Sequence, residues 1–489
     1  MRLYASARMT NRSKGVDLVP KQEYNNGIGE SGIVKKEKEC CRMGRKIILC
    51  AISTISPRAE EKDYTYQTAD GRIIQCRGLQ TNEAPVKCLL DCYRPVEKVL
   101  CMVSEQARKE RRSEPCLGVS AYDFFVAGVT RFCKEGRKHP LRVPEFVPID
   151  YQTDRASLSM GQLLEQLQTG DEVYMDVTGG GRDAMFLLMM AMQLLQYKSI
   201  KLEAAVYSDL NAQKVRSWQV ETDLFALIKA VEDFTSYGKA DKLCSYFHVD
   251  DSAQQQGVRL NKAVRRLCTN AKVFSDRLAL CRTDELDETV EKVHDAMRKA
   301  RSEVKDQPGL QLFLALIPQM QAGFVPESDD PSERMLNLIE WCNNHELWLQ
   351  ALALYRENVP KCLFDMGILR RSDTLRAYAE KNMQIKAAPE TRDWCSGVVL
   401  KLCDQKTLLE LHPTFAGADL RTAVDILDDW DALRIIRNEC IHNNETGNQK
   451  HDRYQQLKDD LKTGDPSYVK KRLETALKRL RAAAADVAR

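Results

Sequence analysis

Two short stretches of this chain carry residue types suited to chemistry. In Asp176-Val177-Thr178-Gly179-Gly180-Gly181-Arg182-Asp183 a hydroxyl, three glycines and a guanidinium follow one another. Glycines let backbone N–H groups approach an anion closely, N–H groups at a helix start lack intrahelical acceptors, and arginine offers a planar fork that matches phosphate. The stretch reads as a phosphate-cradling turn. Its spacing lacks both the Lys-Ser/Thr of a Walker loop and the Gly-x-Gly-x-x-Gly dinucleotide fingerprint. The plainest alternative is a tight strand-to-helix turn in which Asp176 and Asp183 cap the helix and orient Arg182.

The second stretch is Arg437-Asn438-Glu439-Cys440-Ile441-His442-Asn443. RNA can be cut without a metal when its 2′-hydroxyl attacks the adjacent phosphate. A base takes the hydroxyl proton, an acid protonates the leaving oxygen, and a cation offsets the charge of the phosphorane. Histidine has the pKa for the proton transfers and arginine the geometry for the charge. One histidine does not easily fill both proton roles in a turnover, so a symmetric dimer joining two Arg–His pairs in one cleft is expected. Five positions on a helix are about 140° of rotation. Arg437 and His442 therefore do not share a face, whereas Asn438 and His442 do, and the site is expected to straddle a helix end with Asn443-Asn444 as terminator. The bland alternative is a His442 that caps a helix and an Arg437 that is merely solvated.

The elements that must position these residues fall into two kinds. From Lys46 to about Leu210, apolar strands (Ile47–Ile52, Val99–Val103, Phe146–Ile149, Glu172–Asp176, Leu202–Tyr207) alternate with helical patterns (Ala84–Cys92, Tyr122–Cys133, Met160–Leu167, Arg182–Tyr197). This alternation predicts a mostly parallel sheet with helices on both faces. A hairpin is expected where Tyr64–Gln67 and Ile73–Arg77 flank Ala69-Asp70-Gly71. Ligands of such sheets bind beyond the carboxyl ends of the strands, which points to Ser53-Thr54-Ile55-Ser56 and to Thr178–Arg182. From about Val215 helical periodicity takes over, as in Leu224, Leu227, Ile228, Val231 and Phe234. A Pro- and acid-rich break at Pro326–Pro331 marks a boundary. Residues 1–42 are polar and Gly-rich, and read as a disordered tail or as sequence upstream of a start at Met43.

With 489 residues, 43% hydrophobic and 29% charged, the chain has the composition of a globular protein of two or three domains. A net charge of +3 excludes a broad nucleic-acid-coating surface, so any RNA contact must be a local cleft. The seventeen cysteines are scattered through apolar strands and helices (Cys50, Cys101, Cys244, Cys403), as reduced core cysteines would be. No Cys-x-x-Cys pair occurs, and His248, His294, His345, His412 and His451 show no metal-ligand spacing, so no metal site is expected. The longest apolar stretch, Ala184–Leu195, is too short to span a bilayer and no signal peptide is evident, which reads as a cytoplasmic protein. Trp341, Trp348 and Trp430 fall in apolar patterns and are expected in the core. The basic run Lys470-Lys471-Arg472 with Lys478, Arg479 and Arg481 reads as a solvated helix face.

Asp-x-Thr-Gly-Gly-x-Arg after a strand, in an N-terminal α/β domain, resembles the CARF domain of type III CRISPR-associated ribonucleases. Arg437-Asn438 with His442 resembles the Arg-x(4–6)-His motif of HEPN ribonucleases, and Trp341–Pro360 is similar to the opening helix of a HEPN domain. The resemblance covers most of residues 43–489, least clearly about 250–330. It implies an α/β Rossmann-like CARF domain at 43–215, a helical connecting region at 216–330 and an all-α HEPN domain at 331–489. In that family cyclic oligoadenylate binds the CARF domains of a homodimer and activates a HEPN dimer that cuts single-stranded RNA without metal. By position, Thr178, Gly179, Gly180, Gly181 and Arg182 would hold the ring phosphates, and Ser53 and Thr54 would line the same pocket. Arg437 and His442 would be catalytic, with Asn438 positioning them. The loop Ser53-Thr54-Ile55-Ser56 lacks the glycine often found there. The resemblance implies an allosteric activator but no cofactor, no membrane and no stable DNA binding. The alternative is a non-catalytic CARF-type sensor whose C-terminal helices bind another protein or DNA. The acidic Asp425, Asp428, Asp429 and Asp431 argue against a DNA face. A HEPN toxin unrelated to CRISPR is a third reading, and the glycine turn speaks against it.

Overall fold

The computed structural model describes residues 44–68, 70–111, 118–135, 139–198, 200–249, 261–284, 286–303, 310–442 and 467–489; for 153, 196–197, 219–223 and 441–442 it describes the backbone alone. The chain divides into two compact units, one ending at Gln219 and one beginning at Val220. Residues 1–42 and the Asn443-Asn444 pair lie outside the described residues.

The first unit is built on β1 (Lys46–Ala51), β2 (Lys62–Gln67), β3 (Ile73–Gly78), α1 (Glu83–Cys92), β4 (Lys98–Val103), α2 (Glu105–Lys109) and α3 (Ala121–Lys134). It continues through β5 (Glu145–Asp150), α4 (Ala156–Glu165), β6 (Glu172–Asp176), α5 (Arg182–Tyr197), β7 (Lys201–Asp209) and β8 (Lys214–Ser217). Its eight strands form one mixed sheet in the order β3-β2-β8-β7-β6-β1-β4-β5. The five strands β7-β6-β1-β4-β5 are parallel to one another and β2 is parallel to β8, while β2–β3 and β7–β8 pair antiparallel. Alternation along the central strands divides the core between two faces. Ile48, Cys50, Val99 and Cys101 pack under α1 and α3, and Ile47, Leu49, Leu100 and Met175 pack under α4 and α5. The chain leaves β1 toward β4 and β5 on one side and returns to β6 and β7 on the other, so the order reverses between β1 and β6. Strand β8 follows the last strand that the sequence pattern marked. Only Val215 of its four residues is buried, too few points for an alternation to be seen.

The second unit is helical: α6 (Gln219–Tyr237), α7 (Asp241–Tyr246), α8 (Lys262–Ala279), α9 (Leu286–Glu303), α10 (Gln311–Gly323), α11 (Pro331–Asn344), α12 (Trp348–Asp365), α13 (Asp373–Lys381), α14 (Arg392–Asp404), α15 (Thr407–Leu411), α16 (Leu420–His442) and α17 (Ser467–Ala488). The Pro326–Pro331 break is a helix start. Asp330 accepts from Ser332 N at 3.1 Å, and Pro331 takes a first-turn position where its missing N–H costs nothing. The break does not divide the core, because one cluster of buried side chains runs from Leu227 to Ala483. Trp341 of α11 joins its two sides: its indole donates to Gly323 O at 2.9 Å, and its ring meets Phe274 and Phe324 with centroids 6.1 and 6.0 Å apart. Trp430 is buried as well, and Trp348 packs partly buried against the same cluster. No helix among the described residues is long and apolar enough to cross a membrane.

Candidate functional site

Sheets of this kind bind ligands in the crevice beyond the carboxyl ends of the strands where the strand order reverses, and here the reversal falls between β1 and β6. Both loops singled out from the sequence lie there. The glycine turn follows β6 and runs straight into α5. Gly180 has φ +86°, and a Cβ there would stand 2.7 Å from Ala184 Cβ and 2.9 Å from Ala51 Cβ. A Cβ on Gly179 would fall 2.2 Å from both polar atoms of the Asn82 amide and 2.5 Å from Ala51 O. These two glycines are required by the fold itself. Gly181 differs: it is exposed, its φ is not in the left-handed region, and the nearest atom to an added Cβ is Tyr151 Oη at 3.8 Å. Arg182 is exposed at the helix start, where backbone N–H groups have no intrahelical acceptor.

Asp176 ends β6 fully buried and organises the turn from beneath. Its Oδ1 accepts from Thr178 N at 2.9 Å and from the Thr178 hydroxyl at 2.5 Å, and its Oδ2 accepts from Asn82 Nδ2 at 2.7 Å. Burial raises its pKa to about 6, against the opposing pull of these hydrogen bonds. The Thr178 oxygen in turn accepts from Ser208 N of β7 at 2.8 Å. With its hydrogen on Asp176, the Thr178 hydroxyl serves the shape of the turn, and the residues of the turn that are exposed are Gly181, Arg182 and Asp183.

The first loop is held by a segment that the sequence reading did not single out, Gln80-Thr81-Asn82. Ser53 N and Ser53 Oγ reach Asn82 Oδ1 at 2.9 and 2.5 Å, and Gln80 Nε2 donates to Ser53 O at 2.5 Å. Thr54 is exposed. The segment is clamped by buried Glu83, whose Oε2 accepts from Leu79 N at 2.7 Å and Gln80 N at 3.0 Å while Lys87 pairs with Oε1 at 3.0 Å. An Asn before a helix signals an N-cap, yet Asn82 makes no side-chain cap bond. Its amide spans from the β1 loop to the end of β6, a link that no local pattern encodes.

In the second unit, Arg437 sits on α16 beside the buried stripe Ile426, Leu427, Trp430, Leu433 and Ile436. Its Nη1 donates to Asn438 Oδ1 at 3.3 Å, and its buried Nε has no partner among the described residues. Burial lowers the pKa of Arg437, helped by the positive charge of Arg356 on α12, while Glu357 and Cys281 oppose the shift. Trp430 Nε1 ties α16 to Arg356 O at 3.2 Å. Three of the acidic residues upstream are paired: Asp428 with Lys406, Asp429 with Arg479, and Asp431 with Arg434 at 2.6 Å. Helix α16 runs through His442, so Arg437 and His442 share one helix; the His442 side chain lies outside the described residues.

No protein-family model matches the sequence. No curated protein matches it either. Among solved structures, the chain is similar to Enterococcus italicus Csm6 bound to cyclic hexa-2'-fluoro-hexa-dAMP, with a TM-score of 0.36 and 11% identity over 91% of this chain and 94% of that one.

Proposed function

We propose that this protein is an endoribonuclease of the type III CRISPR CARF–HEPN class, activated by cyclic oligoadenylate and independent of metal. The observation that carries the reading is the glycine turn at the strand-order reversal, with Gly181 and Arg182 open to solvent above a rigid hydrogen-bonded floor. A ring phosphate set there would meet helix-start N–H groups and a guanidinium. Ser53 and Thr54 would form the opposite wall of the pocket, and Thr178, Gly179 and Gly180 would set its shape.

The cutting reaction is assigned to Arg437, Asn438 and His442. Arg437, whose buried Nε has no acceptor among the described residues, suits a group that waits for phosphate oxygens, and Asn438 steadies it. His442 would move the protons between the 2′-hydroxyl and the leaving 5′-oxygen. A homodimer would supply the second Arg–His pair, so that one histidine serves as base and the other as acid.

The test is a cleavage assay on labelled single-stranded RNA with cyclic tetra- and hexa-adenylate, in EDTA. The expected result is cleavage that needs the activator, survives chelation and leaves 2′,3′-cyclic phosphate or 3′-phosphate ends. A DNA strand of the same sequence should resist. Products with 5′-phosphates would overturn the mechanism, and activator binding without any cleavage would favour a non-catalytic sensor.

A further inference from the structure

The hydrogens around Ser53 can be placed one by one. The Ser53 N–H only donates, and it points at Asn82 Oδ1 from 2.9 Å. This identifies the oxygen end of the amide, in agreement with Asn82 Nδ2 donating to Asp176 at its other end. An amide oxygen carries no hydrogen, so the Ser53 hydroxyl at 2.5 Å from it must donate its own. Two oxygens at that distance with nothing between them would repel. Ser53 Oγ also lies 2.5 Å from Thr81 Oγ1. The one hydrogen of Ser53 is already committed, so Thr81 must donate to it. The Thr81 hydroxyl is left with lone pairs alone.

Thr81 is also fixed and reachable. Its carbonyl accepts from Ser208 Oγ at 3.3 Å, Asn82 beside it is fully buried, and Glu83 clamps the residues before it. Thr81 itself is half-buried, next to half-buried Ser53 and exposed Thr54 at the crevice. A phosphate oxygen brought against Thr81 would face lone pair with lone pair. A donor would be bound.

We propose that Thr81 is a specificity residue of the crevice that accepts a hydrogen bond from a donor on the nucleotide, either the exocyclic amino group of the base or a ribose hydroxyl. The proposal rests on the reading of the crevice as a cyclic oligoadenylate site. It adds a division of labour, with donors for phosphate on the glycine turn and Arg182, and an acceptor for base or sugar on Thr81.

The test compares the full chain with Thr81→Val, which keeps shape but removes the lone pairs, and Thr81→Ser, which keeps the hydroxyl. Calorimetry would measure Kd for cyclic hexa- and tetra-adenylate, for the inosine rings that lack the amino group, and for the 2′-deoxyadenosine rings. Thr81→Val should weaken adenylate binding about tenfold, and Thr81→Ser should restore it. One analogue should bind the wild-type protein as weakly as the adenylate binds Thr81→Val, and should lose nothing further in that variant. An inosine ring behaving so identifies the amino group, and a deoxy ring identifies the ribose. Unchanged adenylate affinity in Thr81→Val overturns the assignment, as does an equal loss for all three rings. Should Thr81→Val fail to fold, a wild-type protein that binds all three rings equally overturns it alone. If the wild-type protein binds none of the rings, the crevice reading falls together with this one; if it binds adenylate and Thr81 proves indifferent, only the role of Thr81 falls.

Discussion

Asn82 donates from Nδ2 to Asp176 at 2.7 Å, a bond that joins the start of one helix to the end of a strand 94 positions later. Because Asn82 also holds Ser53, the two loops of the crevice are fixed to each other before any ligand arrives. Such a floor limits the ordering cost of binding.

Asp176 gives this floor a pH dependence. Its folded pKa is raised to about 6 by burial, from the ordinary carboxylate value of 3.8. Between those values the folded chain holds a proton that the unfolded chain has released. Stability from this group is therefore fully present below about pH 4 and is lost as pH rises through about 6, by roughly 3 kcal/mol in all. Urea unfolding from pH 4 to 7.5 should show wild type losing stability relative to Asp176→Asn across this window and staying level above it. A pH-independent difference would show that Asp176 does not titrate there.

The three glycines should separate into two classes. Gly180→Ala meets a positive φ and two methyl groups within 3 Å, and Gly179→Ala meets the Asn82 amide, so each should lower the melting temperature by several degrees. Gly181→Ala has room within the protein and should melt like wild type. Its added methyl should instead weaken activator binding, measured by calorimetry. Normal binding by a folded Gly181→Ala would move the ligand away from this turn.

Arg182 and Arg437 should fail in opposite ways. Arg182→Ala removes an exposed side chain and should raise the activator concentration needed for half-maximal cleavage, with the rate at saturation largely kept. Arg437→Ala and His442→Ala should each cut the rate by roughly 10²-fold or more, with activator affinity unchanged. An Arg182→Ala protein that binds activator like wild type contradicts the proposed sensor site, whatever the RNA assay gives.

Sedimentation should find the active species to be a dimer, since one Arg–His pair supplies too few groups for acid–base cleavage. An active monomer at the assay concentration would remove that requirement.

The glycine turn and the central strands were legible in the sequence because each is local: an apolar run of β type, a glycine cluster, then helical periodicity. Ser53, Gly181 and Arg182 were placed at the same crevice by the carboxyl-end rule alone. Thr81, Asn82 and Ser208 escaped notice because their roles depend on partners far along the chain, and Asn82 imitates an ordinary helix cap. The Thr178 hydroxyl, which local chemistry offers to a ligand, is drawn inward by a carboxylate two residues earlier. The Pro326–Pro331 break looked like a boundary because proline and acids also begin helices.

Trp341 has a practical consequence. A protease that nicks the chain between Pro326 and Pro331 should leave two pieces that still elute together, since Phe274, Phe324 and Trp341 interlock across the cut. A polypeptide begun at Pro331 would turn that aromatic seam to the solvent. Such a fragment should aggregate instead of working as a miniature nuclease, and the shortest portable piece should begin no later than the helix that starts at Gln219.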